Sequence, residues 1–277
     1  MADRRRINGP IGTTTPPVYD REPLARNMSR DENAIRKIFL KTGVTPSASG
    51  SAYLELEDLN SKGPNSTSLK LTCTVHGPRA LPRSAPFSPH IILTTHVKYA
   101  PFATRERRGY LRDSSERDLG VHLETALRGA IIADRWPKSG VDIIVTIIEG
   151  DQDRDSTDSQ NNEGWDMMNV LSGCITIASA AIADAGIDCV DTVAGGVAAL
   201  AMKSDNTPAE IVLDPSIANY QKIIAACCVA YLPVRDEITN VWFKGQLPGA
   251  DTMIYNKMME RSLVACRSAN QVVIQAL

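Results

Sequence analysis

Hydrophobic and polar positions alternate with a period of two soon after Gly50. Ala52, Leu54 and Leu56 interleave with Tyr53, Glu55 and Glu57. A turn-rich stretch, Asp58–Ser68, follows. Leu69, Leu71, Cys73 and Val75 then alternate with Lys70, Thr72, Thr74 and His76. Two half-buried strands joined by a loop predict an antiparallel pair. A third strand is predicted over His90–Tyr99, after a bend rich in proline (Pro78, Pro82, Pro86, Pro89). The period then changes to that of a helix. Leu119, Leu123, Ala126, Leu127, Ala130 and Ile131 form one apolar stripe. Ser115 with Asp118 three residues later suggests a capping box at its start. Pro137 and Gly140 predict a stop near Trp136.

Val141–Ile148 is β-branched and nearly all apolar, the pattern of a central strand. A polar loop spans Gly150–Gly164. Trp165–Ala185, rich in Ala, Ser and Gly, predicts a helix packed tightly on a sheet and ended by Gly186. Val190–Met202 is a strand whose Gly195-Gly196 pair marks a bulge or a close backbone approach. Asn206-Thr207-Pro208 is a turn. Short strands are predicted at Ala209–Leu213 and Ile224–Tyr231, with Ile238–Phe243 pairing to the latter. A last helix runs from Asp251 to Ala276, its apolar positions Met253, Ile254, Met258, Leu263, Val264 and Val272. Strands first, then strand–helix–strand–helix, predict an α+β sandwich rather than a doubly wound sheet. No internal repeat interrupts residues 36–277, which form a single domain. Residues 1–35 are expected to be an extended arm, because Pro10, Pro16, Pro17 and Pro23 break any helix.

Composition narrows the function classes. The 277 residues are 43% hydrophobic and 22% charged, with mean hydropathy −0.16. That is an ordinary globular chain with enough apolar surface for a sizeable core. The charged start and the absence of an apolar run behind it argue against a secretory signal. The longest uncharged stretch, Met167–Ala183, is short for a membrane span. Six cysteines form no C-x-x-C pair and sit mostly in apolar runs, as buried thiols of a reducing compartment do. Cys227 and Cys228 are adjacent, so a strand there points them to opposite faces. The four histidines lack metal-ligand spacing. Neither a metal nor a cofactor is therefore expected.

Net charge is −2, so any nucleic-acid binding must be local. From Lys98 to Arg112, five basic groups (Lys98, Arg105, Arg107, Arg108, Arg112) face only Glu106. Tyr99, Phe102 and Tyr110 are interleaved. Guanidinium forks suit phosphate oxygens and aromatic faces stack bases, so this segment is the candidate contact for single-stranded RNA. The alternative is an ordinary solvated surface run. From Glu149 to Asp166 the balance inverts, with seven acids against Arg154. A calcium loop counted from Asp151 fails at its sixth and twelfth positions, which are Ser156 and Asn162. A disordered acidic insertion is the better account.

Short phrases now combine in order. Ser51-Ala52-Tyr53-Leu54-Glu55-Leu56 precedes Leu71-Thr72-Cys73-Thr74-Val75-His76-Gly77-Pro78-Arg79. The segment Pro101-Phe102…Arg105-Glu106-Arg107-Arg108 and the helix start Glu116…Leu119 follow. Ala185-Gly186-Ile187 and Val212-Leu213-Asp214-Pro215 complete the series. This order resembles the RNase PH family over roughly residues 35–275, most of all its mRNA-transport-type branch of eukaryotic RNA exosome ring subunits. The resemblance implies an RNase PH-like (ribosomal-protein-S5-domain-2-like) sandwich of β-sheet and helix, with an acidic insertion at 150–164. It implies a six-membered ring of related chains, cap proteins with OB and KH folds, a processive exoribonuclease on the other face, and single-stranded RNA threaded through. It places the protein in the nucleus, nucleolus and cytoplasm, away from membranes.

Active members of the family need a Gly-Gly-Ser/Thr-Arg phosphate turn at a helix N-terminus and an acidic pair past a later strand. Here the turn is missing, and Glu163 and Asp166 stand at the helix start. Each close like-charge pair opposes phosphate by roughly 1 to 4 kcal/mol. Asp214 remains as a remnant of the family active site. Asn219 and Tyr220 stand where the second acid belongs, and neither can replace a carboxylate. The expectation is a catalytically inactive ring subunit. Its rivals are an active phosphate-dependent 3'-exoribonuclease, supported by Asp214, and an unrelated cytosolic α/β enzyme.

Overall fold

The structure, a computed structural model, describes residues 33–57, 68–104, 113–150, 165–202, 208–215, 220, 222–245 and 252–277. The first sheet contains β1 (Lys37–Thr42), β2 (Gly50–Glu57), β3 (Ser68–Ala80), β4 (Ile92–Tyr99) and β5 (Ser139–Glu149), in the order β1-β2-β3-β5-β4. The second contains β6 (Ala194–Met202), β7 (Glu210–Leu213), β8 (Lys222–Leu232) and β9 (Glu237–Gly245), in the order β7-β6-β8-β9. Among the described residues three helices accompany them: α1 (Ser114–Arg128), α2 (Asp166–Asp184) and α3 (Thr252–Ala276). The predicted antiparallel pairs β2–β3 and β8–β9 are present. β4 and β5 run parallel, because α1 carries the chain back between them.

The layers follow from which faces are apolar. α2 lies between the sheets, touching β2 and β3 on one side and β6 and β8 on the other. Its small residues are buried nearly all round, as Ala178, Ala180 and Ala181 show. Met167–Asp184 is long and apolar enough to cross a membrane, yet 78% of it is buried inside the fold. α3 covers the far face of the second sheet. β6 is buried on both faces, and its glycine pair is a close approach rather than a bulge. Pairing with β8 is continuous through Gly195 and Gly196. A Cβ on Gly195 would stand 2.5 Å from the Ser172 carbonyl oxygen of α2, and one on Gly196 would stand 2.4 Å from the Ser262 carbonyl oxygen of α3. Thr176 and Ser179 of α2 accept the amide hydrogens of Gly195 and Val193, so burying these hydroxyls leaves no polar cost.

Four sequence expectations are corrected. The strand β1 was unforeseen: Ile38 and Leu40 alternate with Lys37, Phe39 and Lys41, but over only six residues behind the proline-rich arm. α1 stops at Arg128, not near Trp136, and Ile131 then bridges to Cys189. Its cap is Asp113, whose carboxylate accepts from the Ser114 amide at 2.7 Å and the Ser115 hydroxyl at 3.0 Å. On α3 the core stripe is Met258, Ser262, Ala265, Cys266, Ala269, Asn270 and Val273, while Met253 and Val264 are exposed. The approach of Gly196 demands small residues there and moves bulkier ones to the flanks. Residues 1–32 of the arm, and the segments 58–67, 151–164 and 203–207, lie outside the described residues.

Candidate functional site

Asp214 closes β7 in the left-handed region, at φ +45°, a conformation that Asp tolerates better than most residues. Its amide donates to the Val197 carbonyl at 3.0 Å. Its carboxylate accepts three bonds from Arg36, at the entrance to β1. The Arg36 amide donates at 3.0 Å, Nε at 2.8 Å and Nη2 at 2.6 Å. The guanidinium side chain is fully buried and that of Asp214 is 15% exposed. Asn169, in the first turn of α2, donates to the Pro215 carbonyl at 2.7 Å. The Asp214 corner thus ties β1, β6, β7 and α2 together around a cavity of about 40 Å3. A carboxylate so engaged is built to hold a guanidinium. Tyr220, at the position of the missing acid, is buried with Ala201 and Val212, and Asn219 lies outside the described residues.

At the head of α2, Trp165 provides no side-chain cap, and Lys244 Nζ sits 5.7 Å from the centre of its ring. Glu163 and the side chain of Asp166 lie outside the described residues. Glu149, the last residue of β5, meets Lys70 Nζ at 3.0 Å, and Lys70 reaches Glu55 at 3.6 Å. The hydrogen bond to Glu149 holds the Lys70 ammonium above its usual range. Partial burial, with Glu55 beside it, raises the Tyr53 phenol. Among the described residues, no group of three or more His, Cys, Asp or Glu side chains is placed to hold a metal ion.

Arg105, Arg107, Arg108 and Arg112 lie outside the described residues, but both ends of their segment are firmly rooted. The Ala100 amide donates to Ile147 at 2.8 Å. Glu116, 3% exposed at the start of α1, accepts the Tyr99 amide at 3.0 Å. The Gly150 amide donates to the Ala103 carbonyl at 2.9 Å. The basic and acidic segments therefore spring from one corner, a juxtaposition their sequence separation hides. Lys98 is half-buried on β4, in register with Thr146. Tyr99, expected among the stacking aromatics, is instead buried in the core, because its strand position points inward. Phe102 is 74% exposed. Tyr110 lies outside the described residues.

The cysteines match their expected role. All six are free thiols, and Cys189 alone among them is half-buried rather than buried. Cys227 faces α3 with Met258 and Cys266, while Cys228 faces α2 and Cys174. Burial pushes the Cys73, Cys174, Cys228 and Cys266 thiols far up, and those of Cys189 and Cys227 up to about 11.

Residues 34–188 match RNase PH, the 3' exoribonuclease family, domain 1. The chain is 66% identical to the exosome complex component MTR3 of Chaetomium thermophilum, over 100% of this chain and 98% of that protein. It is 30% identical to the component of the same name in Schizosaccharomyces pombe, over 88% and 85% of the two chains. With human exosome complex component MTR3 it shares 26% identity over 99% and 94%. A crystal structure of rice Rrp46 superposes with a TM-score of 0.64 at 16% identity, over 88% of this chain and 96% of that one, a likeness of fold.

Proposed function

Because the chain belongs to the RNase PH family of 3' exoribonucleases, we propose that it serves the RNA exosome as a ring subunit without catalytic activity of its own. Near-complete coverage of the MTR3 relative supports membership of the exosome. One observation carries the non-catalytic part: the retained Asp214 carboxylate is consumed by Arg36. That weighs against an active phosphate-dependent 3'-exoribonuclease, which had Asp214 as its support. The absence of a Gly-Gly-Ser/Thr-Arg turn before α2 agrees with it. The partners are related RNase PH-like subunits in the ring, OB- and KH-fold caps, a processive exoribonuclease and single-stranded RNA. Its locations are the nucleus, nucleolus and cytoplasm. The outer edge of β9 has no described strand beside it, and Ile238 and Val241 are exposed there. That edge suits pairing with a neighbouring subunit. Arg105, Arg107, Arg108, Arg112 and Lys98 are assigned to RNA in the ring opening.

The test is phosphorolysis. The purified chain, given single-stranded RNA, phosphate and magnesium, should release no nucleoside diphosphate, yet enter a ring with related subunits. Release that disappears in a folded Asp214→Asn variant would overturn the non-catalytic assignment. In the assembled ring, changing Arg105, Arg107 and Arg108 to Glu should weaken RNA binding and flatten its salt dependence. An unchanged slope would assign these arginines to a neighbouring subunit.

A further inference from the structure

The first sheet buries one face under α1 and α2, and among the described residues no helix or strand packs on the other. That open face has an ordered chemistry. One register row crosses all five strands: Lys41, Tyr53, Thr72, Thr146 and Lys98. It has lysines at both edges, with hydroxyl groups between them, and spans about 19 Å at the usual strand spacing. In the next row Phe39, 56% exposed, sits edge-on to Tyr53 with ring centres 6.4 Å apart. Lys37, two residues before Phe39, shares its face.

The same face continues to a cavity of about 330 Å3, bounded by Arg79, Leu81, Ile92, Thr94 and Asp142. Five cations, Lys37, Lys41, Lys70, Lys98 and Arg79, share this face with Glu55, Glu149 and Asp142, and Glu57 stands in register with Lys37. Each carboxylate has a cation beside it: Glu55 and Glu149 share Lys70, and Asp142 pairs with Arg79. The chain as a whole is net acidic, whereas on this face cations outnumber carboxylates by one.

We infer that the open face of the first sheet is a second contact surface for single-stranded RNA, with bases on Phe39 and Tyr53 and phosphates along the lysine row. Cations interleaved with aromatic rings, Phe39 exposed and Tyr53 half-buried, on a sheet face that no described element covers are a combination that binds single strands without reading their sequence. A protein partner fits less well, because Lys and Thr outnumber the apolar side chains of this face, Ile92 and Ile144 among them. Lys98 makes the surface continuous with the basic segment, since β4 leads directly into it. The inference rests on RNA being the substrate of the assembly.

The test uses the full-length chain and a fluorescent oligouridine, read by anisotropy across a salt series. Phe39→Ala should weaken binding about tenfold, and Phe39→Trp should restore it. Phe39 is exposed, so neither variant threatens folding. Lys37→Gln with Lys41→Gln should lower the salt slope by about 1.4. The Arg105, Arg107 and Arg108 variant is measured alongside. Binding lost with those arginines but untouched by Phe39→Ala and the lysine pair would overturn this surface while leaving the threading role intact. Loss in all three variants supports it. In the reassembled ring, crosslinks from 4-thiouridine RNA to Phe39 or Tyr53 support it. Their absence there would mark the face as a subunit contact and overturn it.

Discussion

Replacing Arg36 with Met strands the Asp214 carboxylate beside an apolar wall. Two side-chain bonds vanish, at 2.8 and 2.6 Å, while the backbone amide of residue 36 still donates to Asp214. Breaking a buried pair by removing one partner costs about 3–5 kcal/mol. The lower part of that range applies here, because the carboxylate keeps 15% exposure and one amide donor. Asp214→Asn tolerates the positive φ and retains one acceptor oxygen, but leaves a fully buried guanidinium without its countercharge. It should cost more than Arg36→Met. In the double variant neither charge is stranded, so its loss should fall about 2 kcal/mol or more short of the sum. Urea unfolding of the four proteins measures the cycle. Additive losses, or single losses below about 1 kcal/mol, would refute the claim that this pair locks the entrance of β1 to the end of β7.

Gly195→Ala and Gly196→Ala should each destabilise by about 1–3 kcal/mol or more, since the new methyl meets backbone oxygens of α2 or α3 that cannot swing aside; wild-type melting temperatures in either variant would contradict the packing. Asp113→Ala should cost about 1 kcal/mol and Ser115→Ala clearly less, which chemical denaturation can distinguish, and the reverse order would restore the capping box at Ser115. Alkaline pH should destabilise the fold: below about 8.5 the thiols are protonated in both states, and above it the unfolded chain releases protons that the buried Cys73, Cys174, Cys228 and Cys266 retain. At about 1.4 kcal/mol per thiol by pH ~9.5, these four lose about 5–6 kcal/mol relative to neutral pH, and an equal loss in a Cys73→Ala, Cys174→Ala variant would assign it elsewhere.

Elements with strong periodicity were legible in the sequence. Alternation placed β2 and β3 in their pairing, the apolar run placed β5, and Gly186, at φ +68°, ends α2 where the pattern stopped. The glycine pair of β6 was legible as an anomaly, and the structure distinguishes its two explanations. What escaped was set by contacts far apart in the chain. β1 is too short and too charged to declare itself, and becomes a strand because β2 offers an edge with Leu40 opposite Leu54. α3 was found, but its core face was not. Ranking residues by hydrophobicity selects Met253 and Val264, whereas the backbone of Gly196 leaves room only for Ser262, Ala265 and Cys266.

Asp214 shows most clearly what residue type cannot convey. A lone acid after a strand, before proline, fits a surviving catalytic group and a structural joint equally well. The partner that makes it a structural joint, Arg36, lies 178 residues away, just past the expected extended arm. Once paired, the carboxylate accepts from two guanidinium nitrogens and a backbone amide, and its charge is spent on folding. The same logic bears on the charged segments. Their compositions are plain in the sequence, yet only the Gly150–Ala103 hydrogen bond shows that the basic and acidic runs leave the fold from one corner. Under the proposed function, opposed charges rooted at one corner would steer an RNA strand without building a pocket for a single phosphate ion.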